Sequence, residues 1–304
     1  MFKHILVPLD GSKLAESSLI AAAYLANSEK SEVTLLHLVE EHAPSAIHGE
    51  RHLRSAEEAD AYLRSIAERF FDSRVKVNYH VHDAQITGVA QGIADHHREL
   101  DHDLIVMCTH GRSGANTLVF GSIAQKIVSL GTLPVLIVQP EHDTAHPRRF
   151  ATSPMLAPVD GTPEHEVSLR LATEFALETK SQLHLLMVIP TLKTLPGRWE
   201  DATKILPTSA DRMLEMAAEE AAEYLDRQCA ELTGRGISVA AGIERGDPAK
   251  VICEAAEKSG ARLLVIGTHG KSGLGAIWEG SVASRVLSRI NVPVILVPLS
   301  NRDR

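Results

Sequence analysis

The chain has 304 residues, enough for about two ordinary domains. Its formal net charge is -8 and aromatics make up only 4%, which argues against a nonspecific nucleic-acid binder, an anionic-membrane binder and a stacking platform for single strands. Cys108, Cys229 and Cys253 form no CxxC spacing, and no run approaches the roughly 18 apolar residues of a membrane span, so the expectation is a soluble cytoplasmic protein with reduced thiols.

In chain order, "KHILVPLD" reads as a strand and "KLAESSLIAAAYLANSE" as a helix. The strand "EVTLLHLV" and the helix "SAEEADAYLRSIAERF" follow, then the alternating strand "VKVNYHVHD" and the helix "ITGVAQGIADHHREL". "DLIVMC", "SIAQKIVSLG" and "PVLIVQ" complete a strand, helix, strand series. "EHDTAHPRRFATS" (141–153) is polar, without apolar period, and reads as a linker. The series then starts again. "ILVPLDGS" returns as "MLAPVDGT", "VTLLHLVE" as "LHLLMVIP", and "LPVLIV" as "VPVILV".

Asp10 has its counterpart 150 positions on, at Asp160, whereas Gly121 has its counterpart 159 on, at Gly280. The second half therefore carries extra residues, placed near "TLKTLPGRWEDATKILPTSADRM" between its second strand and the next helix. Short apolar runs separated by helices predict parallel strands covered on both faces. The fold expected is α/β: two tandem doubly wound domains (1–140 and 154–304), each a five-stranded parallel sheet with helices on both faces. The apolar fifth strands would form open edges, so the two halves are expected to pair there as a pseudo-dimer.

The stretches "CTHGRSGANTLVFGS" (108–122) and "GTHGKSGLGAIWEGS" (267–281) each join a strand to a helix. Ligands in open parallel sheets bind beyond the carboxyl ends of strands, where the strand order reverses. Glycine amides followed by a helix start make an anion cradle there. The loop is not a P-loop, because Val265 stands where that motif needs glycine, and GxGxxG is absent too. The plainer reading is a loop that only turns. Asp10 and Asp160 end the first strand of each half, where a carboxylate can accept from ribose hydroxyls or hold a divalent ion beside phosphates. Here the plainer reading is an Asx turn or a helix cap.

Together these residues resemble the tandem universal stress proteins, over nearly the whole chain. That family's nucleotide signature is G-x2-G-x9-G-[S/T], and the second half matches it with Gly267, Gly270, Gly280 and Ser281. The resemblance implies that these amides, the Ser281 hydroxyl and the neighbouring Val282 hold phosphates. It also implies that Asp160 binds ribose, that main-chain groups of Val188 bind adenine, and that Pro158 and the Gly246–Pro248 turn line the pocket. The first half departs: Cys108 replaces the first signature glycine and "ITGV" replaces the turn, while Pro8, Asp10, Leu38, Gly111, Gly121 and Ser122 match. A weaker first site is expected. The function implied is an adenine-nucleotide (ATP, ADP or AMP) binding stress-response regulator, with Mg2+ held at Asp160 if a triphosphate is bound. It would act through an unidentified protein partner, with further homodimerisation compatible. The alternatives are a slow ATP hydrolase or adenylyl transferase, and a scaffold with a decayed first site.

Other residues are weaker signals. Asn78, His80 and His82 share one strand face next to Asp83, a spacing that could ligate zinc; with 16 histidines in the chain, such pairs also arise by chance. His110 and His269 recur with the repeat and read as loop-positioning residues. Trp199 reads as a packing or partner contact.

Overall fold

A computed structural model of the chain describes residues 1–40, 46–47, 50–51, 53–86, 88–108, 112–113, 117–118, 122–131, 133–140, 150–194, 207–269 and 281–299. The first half runs β1 (His4–Pro8), α1 (Lys13–Glu16), α2 (Leu19–Glu29), β2 (Glu32–Glu40), β3 (Ala46–Ile47), β4 (Glu50–Arg51), α3 (Ala56–Phe70), β5 (Val77–Ile86), α4 (Val89–Glu99), β6 (Leu104–Cys108), β7 (Arg112–Ser113), β8 (Thr117–Leu118), α5 (Ser122–Leu130) and β9 (Val135–Val138). The second runs β10 (Met155–Val159), α6 (Glu166–Thr179), β11 (Leu183–Ile189), α7 (Pro207–Gly234), β12 (Val239–Arg245), α8 (Pro248–Lys258), β13 (Leu263–His269), α9 (Val282–Leu287) and β14 (Val294–Leu299).

Ten of these strands form one sheet in the order β12-β11-β10-β13-β14-β9-β6-β1-β2-β5. Within each half the pairs of this sheet are parallel, and the first of its five strands lies between the second and the fourth. The sequence order therefore reverses between β1 and β6, and again between β10 and β13. This is the doubly wound arrangement that the apolar runs predicted. The halves meet at their fifth strands, where β14 pairs antiparallel with β9 through Val294↔Ile137, Ile295↔Leu136 and Leu296↔Val135.

The pleat sends alternate residues into two cores, one on each face. Ile5, Val7, Met155 and Ala157 enter one, while Leu6 and Leu156 enter the other. Each core contains residues of both halves, so hydrophobic burial runs without a break across the junction. The helices present matching apolar stripes: Ala59, Leu63, Ile66 and Ala67 on α3, and Leu214, Ala221, Leu225 and Leu232 on α7.

Two expectations are corrected. The helix read over Lys13–Glu29 is broken at Ser17 and Ser18. The Ser18 hydroxyl donates to the Ala15 carbonyl at 2.7 Å, and the Ser18 amide donates to the same carbonyl at 3.1 Å. A serine side chain competing for the backbone ends the first short helix there. The extra residues of the second half lie mainly in a helix rather than before one. α7 has 28 residues against 15 in α3, so the insertion became additional N-terminal turns.

Candidate functional site

The crevice of the second half is opened by a proline. Pro158 lies in β10, which has five rungs with β11, from Met155↔Leu183 to Val159↔Met187, but only two with β13. The reason is in the alternation of peptide groups along a strand. The Met155 amide donates to Gln182 beside β11, and the Pro154 carbonyl accepts from Arg262 beside β13. Even-numbered residues of β10 thus face β13, and Pro158 has no N–H to offer. The ladder stops and the sheet splits at the switch point. Pro8 does the same in the first half, where β1 has two rungs with β6.

The same alternation shows which backbone groups line the split. In β13 the Leu264 amide donates to Pro293 beside β14, so Gly267, an odd-numbered residue, turns its peptide groups toward β10. In β11 the Leu183 amide donates to Ser238 and the Ile189 carbonyl accepts from Gly246, both beside β12. Val188 therefore turns its peptide groups toward β10, past the last rung at Val159↔Met187. Donors and acceptors of the main chain thus look into the crevice from both walls.

Asp160 stands at the mouth. Its Oδ1 accepts from the Thr162 amide at 3.0 Å and the Thr162 hydroxyl at 2.8 Å, and its Oδ2 lies 2.8 Å from His165 Nδ1. Burial pushes this carboxyl up, but the His165 and Thr162 hydrogen bonds outweigh it and hold it below the usual carboxylate range. The Asx turn is thus real, and it leaves an ionised, exposed carboxylate at the strand end. Gly161 completes the turn at φ +75°, a backbone that side-chain-bearing residues rarely adopt. Asp10 repeats the turn, its Oδ1 accepting from the Ser12 amide at 2.9 Å and the Ser12 hydroxyl at 2.7 Å.

Gly267 has a structural reason that the motif does not reveal. A Cβ there would lie 2.9 Å from Leu299 Cδ2 and 3.0 Å from His165 Cδ2. His165, fixed by Asp160 and Thr162, occupies the side-chain space of position 267. In the first half the residue 150 positions before His165 is Ala15, and the partner of Gly267 is Cys108. A large and a small residue have exchanged places. The peptide groups of Cys108 keep the crevice-facing parity, since Ile105 donates to Pro134 on the β9 side.

Ser281 caps α9, its Oγ accepting from the Ser284 amide at 3.1 Å, and Val282 begins that helix. Gly246 leads into Asp247, which caps α8 through the Lys250 amide at 3.0 Å and accepts from Arg285 of α9 at 2.8 Å. That ion pair ties the Gly246 turn to the helix that follows the glycine loop. Leu38 holds the place of Val188 in β2, but a register shift between Leu38 and Glu40 distorts the ladder beside it. Ser122 begins α5. Gly111, Gly121, Gly270 and Gly280, with His110 and Trp199, lie outside the described residues.

The sequence reading missed His165 and two tyrosines. Tyr224 of α7 lies 3.8 Å from where a Cβ on Gly161 would sit. Burial, then the Glu166 and Asp160 charges, push its hydroxyl pKa up. Tyr62 of α3 takes the same place in the first half: its hydroxyl donates to Glu16 at 3.5 Å, and burial, Glu16 and Asp10 raise it in turn. The lengthened α7 shifts the numbering between the halves and hides this pair from a simple offset. The structure also brings His80 and His82 of β5 beside His96 of α4, while the side chain of Asp83 is outside the described residues.

The model of the Universal stress protein family matches the chain twice, over residues 1–139 and 152–298. The chain belongs to the universal stress protein family. A universal stress protein of Mycolicibacterium smegmatis is 26% identical over 201 residues, covering 64% of this chain and 61% of that protein. The Universal stress protein E homolog of Haemophilus influenzae is 22% identical over 331 residues, 99% of both chains. A solved universal stress protein from Archaeoglobus fulgidus superposes with a TM-score of 0.66 at 18% identity, covering 98% of each chain, which supports the shared fold. As a tandem universal stress protein, this chain places both family units in one sheet. Among its described residues no helix is long and apolar enough to cross a membrane.

Proposed function

We propose that this universal stress protein binds an adenine nucleotide in the crevice between β10 and β13 and acts as a nucleotide-dependent stress-response regulator. The observation that carries the reading is the split at Pro158, with the peptide groups of Val188 and Gly267 on its walls and the ionised Asp160 at its mouth. Peptide donors and acceptors beside Val188 suit an adenine edge. A carboxylate at the end of β10 suits ribose hydroxyls. The signature loop from Gly267 to Ser281 would supply amides to the phosphates. Asp160 and a polyphosphate repel each other unless a cation lies between them, so binding of ATP would recruit Mg2+ there. The first-half crevice has the same opening proline and carboxylate, but lacks the Gly246–Asp247 turn and has the irregular ladder at Leu38; weaker binding follows.

Native mass spectrometry of the purified chain should reveal co-purified adenine nucleotide. In isothermal titration, Gly280→Val should weaken binding by more than about tenfold, because a side chain would block an amide-to-phosphate contact. Gly121→Val should do less. Chelation of divalent ions should weaken ATP binding. Unchanged affinity in Gly280→Val would sink the reading.

A further inference from the structure

The first half contains a cluster that the nucleotide reading does not use. His80 and His82 lie two apart on β5, the strand at the edge of the sheet, so both point to the same face. They are paired in register with Leu36 and Leu38 of β2. α4 covers that face and brings His96, which is buried, against both. The His80 and His96 ring centroids are 4.7 Å apart, as are those of His82 and His96. One ligand nitrogen from each of the three lies within 4.8 Å of the others.

We propose that His80, His82 and His96 form a binding site for a zinc-like divalent transition ion. The orientation of His96 is the first argument. Its Nδ1 lies 2.7 Å from the carbonyl of Gly92, one turn earlier on α4. A carbonyl can only accept, so Nδ1 carries the proton and Nε2 keeps its lone pair. A backbone carbonyl that fixes the tautomer and aim of a ligating imidazole is the usual outer support of a histidine metal site. The distances are the second argument. Tetrahedral zinc with Zn–N bonds of 2.0–2.1 Å holds its nitrogens about 3.4 Å apart. The nitrogens already lie within 4.8 Å of one another, so binding would ask the side chains to close by little more than an ångström. Three imidazoles leave a fourth position for water or another ligand. The donor set selects the ion class, since neutral nitrogen suits zinc and its neighbours in the first transition row, whereas Mg2+ and Ca2+ need oxygen.

The second half supplies an internal control. The register that places His80 opposite Leu36 and His82 opposite Leu38 places Gly242 opposite Leu186 and Glu244 opposite Val188. Ala255 holds the place of His96 on α8. The same strand and helix pack there with no histidine at all. The fold does not need these rings, and three of them converging at one point in one half calls for another reason. The proposal does not rest on nucleotide binding.

The test uses the full chain, dialysed against chelator and titrated with Zn2+ by calorimetry and with Co2+ by absorption. The wild type should take up one ion saturably and give the intense visible bands of tetrahedral cobalt. His80→Gln and His82→Gln change half-exposed side chains on an edge strand, and their melting curves should match the metal-free wild type. Each should lose affinity by at least about tenfold, since removing a ligand costs no less than removing its outer support. His96→Gln should behave alike; if it does not fold, the two strand variants decide. Absence of saturable uptake by the wild type overturns the proposal, and so does retention of wild-type affinity in either strand variant.

Discussion

At the scale of single residues, the repeat allows one position to be read against its twin. His165 crowds Gly267, and the twin positions in the first half carry Ala15 and Cys108, a small and a larger residue in the opposite order. Gly267→Ala places a Cβ within 3.0 Å of a ring held by Asp160 and Thr162, so the ring cannot easily give way. The expected cost is about 1–3 kcal/mol, the range for overpacking a tight site. His165→Ala in that background should recover part of it, with a coupling above about 0.5 kcal/mol in a double-mutant cycle read from urea midpoints. Strictly additive costs would show that the two residues do not share the space. The glycine was legible in the sequence as a motif member, but its packing role was not, because the residue that imposes it is 102 positions away and enters only through the fold. A second residue reports on pH. Burial first, then repulsion from His4 and His97, push His102 down to about 4, and Asp103 and Asp101 offset this only in part. An unfolded chain takes up a proton near pH 6.5, while the folded chain resists until about 4. The unfolded state therefore binds more protons in that window, and stability from this group is present above it and lost as pH falls through it. At pH 5 the loss should be on the order of 1–2 kcal/mol, and His102→Leu should flatten the wild-type decline between pH 7 and 5 by that amount. Parallel denaturation curves for the two proteins across this window would remove His102 as the cause.

At the scale of elements, most of the architecture was written in local pattern. The runs "ILVP", "LIVM" and "LLVI" have no polar alternation because both faces of the sheet are covered, and that alone required helices on two sides. What was not legible has identifiable causes. The break at Ser18 depends on a side chain choosing the Ala15 carbonyl, a choice that helical spacing does not reveal. The length of α7 was hidden because the segment before its first turns is broken by Pro196 and Gly197 and reads as loop. Their apolar stripe is also thin, with Met213 and Met216 exposed beside the buried Leu214. The crevice was legible at its ends, in Asp160 and the glycines. Its cause was not: Pro158 splits the sheet only because its missing N–H falls on the β13 side, and that parity is fixed by the register of three strands. The histidine cluster shows the same boundary. Sequence spacing placed His80 and His82 on one face, but the third ligand comes from α4, and only the covering of β5 by that helix brings His96 to them.

At the scale of the molecule, the question is what joins the halves. The pairing of β14 with β9 removes two apolar edges that would otherwise invite strands from other chains. It also makes the two cores continuous, because Leu136 and Ile295 lie in one and Ile137 and Val294 in the other. Aromatic contacts cross the same boundary: Phe2 meets Phe175 with centroids 5.8 Å apart, and Tyr24 meets Phe150 edge-on at 5.3 Å. Phe150 belongs to the end of the segment read as a linker, so the chain is docked against α2 before β10 begins. These contacts, all between described residues, are then a source of cohesion that does not depend on the chain between Pro140 and Phe150. A protease site placed within 141–149 should be cleavable without separating the halves, which should run on a sizing column as a 1:1 complex of the original size. Because the buried contact is apolar and backbone-paired, the complex should survive 1 M salt, where the Debye length falls to about 3 Å and exposed ion pairs are screened. Urea below the main unfolding transition should leave it associated as well, since separation would expose β9 and β14 together with parts of both cores. Prompt separation into two folded halves would show that the connecting chain, rather than the strand pairing, holds the molecule together.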